Sequence, residues 1–130
     1  MKATFVLLLF ASFLLTSSFR CNKEEIINQQ CFKARLEIKG ICSNYTIKVL
    51  EGNIDPSKVK ALWTDPSTGK VHQNVFALGN PCEFPNDIKE GDEFYFILDK
   101  DGDRTCAQCL AYRAKPEIEN NIIVSKTSCQ

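Results

Sequence analysis

From Cys31 onward the chain alternates with a period of two: Phe32, Ala34, Leu36 and Ile38 are apolar, and Lys33, Arg35, Glu37 and Lys39 between them are charged. Successive side chains of a strand point to opposite faces, so this pattern predicts a strand with one wet face. Tyr45, Ile47 and Val49 repeat the alternation, residues 52–56 break it, and Val59, Ala61 and Trp63 resume it. Asp65-Pro66-Ser67-Thr68-Gly69 is dense in turn formers and precedes Val71, Val75 and Phe76, which predicts a hairpin. Gly79-Asn80-Pro81 closes that strand. Gly91-Asp92 then opens the most apolar run after the N-terminal segment, residues 94–98, and such a run predicts a central strand buried on both faces. Residues 99–103, centred on Gly102, turn the chain back into residues 105–114. Ile122, Ile123 and Val124 fit a strand or a helix leading to Cys129, and Asn22 with Glu25 resembles a capping pair for a short helix through about Gln30. Five or six short antiparallel strands with small helices at the ends point to an all-β barrel or sandwich.

The first residues change the picture, because Lys2 is followed by an apolar run over residues 5–15 and then by Thr16, Ser17 and Ser18. That is the form of a secretory signal, and the run is too short to span a bilayer, which takes about 20 residues. Small residues at Thr16 and Ser18 place the cleavage after Ser18. Residues 1–18 are therefore expected to be a signal peptide and residues 19–130 a single domain, secreted and extracellular. With 16 basic and 16 acidic residues the charges balance. No overall field favours nucleic acid or an anionic membrane, and no membrane insertion is expected.

Seven cysteines in an exported chain read as a disulfide framework with one thiol left over, or one bridge to another molecule. The protein is then a monomer, or a dimer through the odd cysteine. Cys106-Ala107-Gln108-Cys109 has redox spacing, but on a strand residues three apart face opposite ways, so each is expected to bond elsewhere. Asp99, Asp101 and Asp103 suggest calcium, yet Gly102 and Leu110 stand where an EF-hand loop needs other spacing and a glutamate; a solvated hairpin tip is expected. His72 is the sole histidine, with no nucleophile and supporting carboxylate near it in sequence, and is expected at the surface or in packing. Asp92 and Glu93 are adjacent and would face opposite ways on a strand. Trp63 and residues 94–96 read as core. No enzyme, metal site or cofactor is expected. Eight carboxylates between Glu83 and Asp103 against Lys89 and Lys100 make an acidic stretch, which serves solubility or docks a basic partner. Asn44-Tyr45-Thr46 is the single glycosylation sequon and makes Asn44 a candidate acceptor.

The order of these elements resembles the netrin-like family of five-stranded OB-type barrels, which includes the inhibitory domain of tissue inhibitors of metalloproteases and C-terminal domains of some complement components. The resemblance lies in Gln29-Gln30-Cys31 with Ala34 ahead of an alternating strand, Tyr45-Thr46-Ile47-Lys48-Val49, Pro81-Cys82, residues 91–98, and Cys109 with a closing Cys129. In length and leader the chain also looks like small netrin-like proteins among the excretory and secretory products of parasitic worms. The resemblance implies a five-stranded OB-like barrel with short flanking helices, stabilised by disulfides that pair Cys21 with Cys109 and Cys31 with Cys129. Two of Cys42, Cys82 and Cys106 would form the third.

In the inhibitor branch the mature chain opens with Cys-x-Cys, and its first residue grips the protease zinc. Here it opens Phe19-Arg20-Cys21, so Phe19 stands where that cysteine would be and Arg20 faces the specificity pocket. Burying an unpaired guanidinium costs several kcal/mol. The resemblance therefore implies a secreted binding protein acting on an extracellular protein partner, with Phe19 and Arg20 as candidate contacts. The alternative is a metalloprotease inhibitor with Phe19 as a degenerate wedge.

Overall fold

The alternation from Cys31 is realised as a long first strand, β1, Cys31–Lys39, in a computed structural model that describes residues 30–102, 112–125 and 127–128. Phe32, Ala34, Leu36 and Ile38 are buried, and the residues between them are partly exposed. The other strands are β2 (Tyr45–Glu51), β3 (Lys60–Thr64), β4 (Val71–Leu78), β5 (Glu93–Leu98), β6 (Glu119–Asn120) and β7 (Ile122–Ser125). The class is all-β and mostly antiparallel. The expected count of five or six strands is corrected to seven among the described residues, in a sheet whose hydrogen-bonded path β3-β4-β2-β1-β5-β7 is open. The tail accounts for the difference, since it supplies two strands, β6 and β7, where the sequence offered at most one. Helical structure among the described residues is limited to three single 3-10 turns, at Ile41–Ser43, Pro56–Lys58 and Pro81–Glu83. The helix expected from Asn22 lies, but for Gln30, outside the described residues.

The turn formers after Trp63 do what their chemistry suggests: Asp65 N–H donates to the Lys70 carbonyl at 2.8 Å, and Gly69, with φ +71, donates to the Asp65 carbonyl at 2.7 Å. Residues 94–98 depart from expectation. Phe94 and Phe96 point into the core while Tyr95, Ile97 and Leu98 are partly exposed, so β5 has one buried face rather than two. The expected return strand over residues 105–114 is also corrected in its described part, since residues 112–118 hold no strand and β5 pairs instead with β1 and β7.

Phe32, Phe76, Phe94 and Phe96 form the centre of the core, with Phe96 stacked at 5.3 Å from Phe32 and 5.8 Å from Phe76. The tail lies along two strands at once. β6 runs parallel to β4, with Gly79 N–H donating to the Asn120 carbonyl at 2.8 Å, and the next carbonyl, that of Asn121, accepts from Asp99 N–H of the other neighbour at 2.9 Å. Where β4 ends, the Asn80 side chain continues the ladder: its Nδ2 donates to the Ile122 carbonyl at 2.8 Å and its Oδ1 accepts from Ile122 N–H at 2.9 Å.

Candidate functional site

A bulge in β1 sets the position of the most concentrated polar chemistry. Leu36 faces Ile47 and Ile38 faces Thr46, so Glu37 is an extra residue with no partner on β2. Bulges re-aim the side chain they carry. Glu37 is thereby removed from the wet face on which its neighbours lie, and its side chain is only 7% exposed. Ile38, one residue on, leaves the main core and joins Trp63 and Val75 in a second apolar cluster.

His72 of β4 meets Glu37 there, with Nδ1 to Oε1 at 2.8 Å. A carboxylate only accepts, so Nδ1 carries the proton and donates. Arg35 donates to the other carboxylate oxygen from Nε at 3.0 Å and Nη2 at 2.6 Å. The indole of Trp63 lies 5.7 Å from the imidazole, ring centre to ring centre, and closes the far side. Burial by itself would raise the Glu37 carboxyl, but the bonds from Arg35 and His72 and the charges of Arg35 and Lys48 outweigh it and hold the group below the ordinary carboxylate range. A shallow cleft of about 350 Å³ opens beside the cluster, lined by Arg35, Leu36, Glu37, Lys70, Glu90 and Gly91.

A second buried carboxylate, Asp65, anchors the hairpin that carries Trp63 and His72. It accepts from the Ser67 N–H at 2.9 Å, the Ser67 hydroxyl at 2.6 Å, the Thr68 hydroxyl at 3.1 Å and the Arg113 guanidinium at 3.1 Å. The Ser67 hydroxyl is the strongest of the influences that lower its carboxyl, against the opposing effect of burial. Both carboxylates are thus spent on holding elements in place. His72, 4% exposed and bonded to Glu37, is placed as a packing residue.

The remaining expected sites scatter. Asp92 caps Lys89 N–H at 2.8 Å, whereas Glu93 pairs with Lys33 at 2.8 Å, so the two carboxylates do separate jobs. Asp101 N–H donates to Asp99 Oδ1 at 3.1 Å in the loop after β5, and Asp103 lies outside the described residues, so the expected hairpin tip is not seen there. Among the described residues no group of three histidine, cysteine or acidic side chains is placed to hold a metal, and no helix is long and apolar enough to cross a membrane. Cys31, Cys42 and Cys82 are disulfide-bonded. Cys21, Cys106, Cys109 and Cys129 lie outside the described residues, as do Phe19, Arg20 and residues 1–18, so the expected pairings and wedge fall there. Asn44 stands at the surface between β1 and β2, its Nδ2 donating to the Ile41 carbonyl at 3.0 Å.

No family model, curated protein or solved structure matches this chain. The Glu37–His72 pair is the feature that the sequence did not disclose: its partners are 35 residues apart. The bulge that brings them together leaves no mark in an alternation as regular as that of β1.

Proposed function

We propose that the chain is an exported netrin-like binding protein that loses residues 1–18 and acts outside the cell on a protein partner without catalysing a reaction. In this reading residues 19–130 form an OB-like barrel braced by disulfides. The observation that carries it is the course of the tail, whose consecutive carbonyls at Asn120 and Asn121 accept from Gly79 and Asp99, the residues that directly follow β4 and β5, two strands that the open path leaves apart. A tail that pairs first with β4 through β6 and then with β5 through β7 bridges the two sides of the sheet, as closure into a barrel requires. The absence of a catalytic role is supported by the engagement of His72 and Glu37 with each other, which leaves the sole histidine closed to substrate. A protein partner is supported by the connecting loops between the strands, the usual place for recognition on a rigid β scaffold.

Expression of the full chain in a secreting eukaryotic cell tests this. The medium is expected to contain a protein beginning at Phe19 that binds a partner reconstituted from purified components and leaves zinc proteases active. Retention inside the cell with Met1 intact would overturn export. Nanomolar inhibition of a zinc protease, lost on adding one residue before Phe19, would move the function to the inhibitor alternative.

A further inference from the structure

We infer that Asn44 carries an N-linked glycan that is attached before β2 pairs with its neighbours. The inference rests on the exported reading above, because the sugar donor is met only along the secretory route. Asn44-Tyr45-Thr46 is an acceptor tripeptide with no proline at its centre. Its two functional residues lie in opposite environments. Asn44 follows the turn Ile41–Ser43 and precedes β2, with φ −76 and ψ 76 in neither helical nor extended conformation. Its Nδ2 bond to the Ile41 carbonyl lies at the surface, beside an Ile41 side chain that is 61% exposed. Thr46 is 1% exposed and paired with Ile38 on one side and Ala77 on the other.

The acceptor motif requires the third residue's hydroxyl as well as the asparagine amide. In the folded sheet that hydroxyl is closed off, so recognition of the tripeptide precedes docking of β2, while the amide end of the site remains at the surface to hold the sugar afterwards. In the transfer, Asn44 Nδ2 forms a bond to the anomeric carbon of an oligosaccharide carried on a lipid pyrophosphate. The bond from that carbon to the pyrophosphate oxygen breaks, its electron pair leaves with the pyrophosphate, and one Nδ2 proton passes to a base of the transferase. The product amide keeps one N–H.

The test is translation of the full chain, preceded by a foreign signal sequence, with microsomes that carry the oligosaccharyltransferase. One slower band is expected, collapsed by an N-glycan amidase, lost in Asn44→Gln and Thr46→Ala, and retained in Thr46→Ser. Unmodified protein folded beforehand and then offered to solubilised transferase with its lipid-linked donor is expected to stay unmodified. No shift behind the foreign leader overturns the glycan, and full modification of the folded protein overturns the order of events. A shift behind the foreign leader but none behind the chain's own would support the acceptor site and refute the exported reading instead.

Discussion

Replacing Glu37 by glutamine tests the buried polar cluster at nearly constant side-chain volume. The carboxylate takes two bonds from Arg35 on one oxygen and one from His72 on the other. Glutamine has one acceptor oxygen, so it serves Arg35 or His72 but not both, and its own amide N–H group then faces the remaining donor. Arg35 keeps about a third of its side chain in water, which makes good part of its loss. His72, with its side chain 3% exposed, cannot be compensated in this way. Loss of one charge-assisted bond in a buried setting costs about 1.5–3 kcal/mol, and we expect Glu37→Gln to cost about 2–3 kcal/mol, or a fall in Tm of roughly 8–12 °C for a domain of this size. Urea unfolding followed by the fluorescence of Trp63, the sole tryptophan and a neighbour of His72, reads it directly. A double-mutant cycle with His72→Gln should give a coupling of about 1 kcal/mol or more. A change below about 0.5 kcal/mol, or strict additivity of the two substitutions, would refute the cluster as a structural clasp.

Three further outcomes follow from the same structure. Glu37 and Asp65 both ionise more readily folded than unfolded, so the unfolded chain binds protons first; their contribution is complete above the ordinary carboxylate range and lost as pH falls through and below it. The urea midpoint should therefore drop steeply below about pH 4, less so in Glu37→Gln, and a flat profile would count against both assignments. Phe96→Ala removes a fully buried ring packed against Phe32 and Phe76 and should cost about 3–5 kcal/mol in the same assay. Gly79→Ala would drive a methyl group into Asn121 Oδ1 and within 3.2 Å of the Asn120 backbone, costing about 1–3 kcal/mol. Hydrogen exchange should show the amides of Ala77, Gly79 and Asp99 opening together in that variant, and unchanged protection there would sink the two-sided role of the tail.

The sequence by itself determined the β class, the buried face of β1, the hairpin at Asp65 and the end of β4 at Gly79-Asn80-Pro81. These are local matters: period-two burial and the conformational preferences of Gly, Pro, Asp and Asn act over a few residues and need no knowledge of what lies across the fold. It also marked Phe94 and Phe96 as core, although it took the run around them for a strand buried on both faces. Apolar content alone does not say whether a second layer covers Tyr95 and Ile97, and none does fully. What only the tertiary structure decided are contacts between distant segments. The parallel pairing of β4 with β6 joins Leu78 to Asn120, and the clasp joins Glu37 to His72. Neither pairing changes the pattern of either segment, because a strand's alternation records that one face is buried and is silent on which strand lies beside it. The bulge at Glu37 shows this most plainly: one unpaired residue sends Ile38 to a different cluster and a carboxylate inward, while the string of alternating residues from Cys31 to Lys39 reads unbroken.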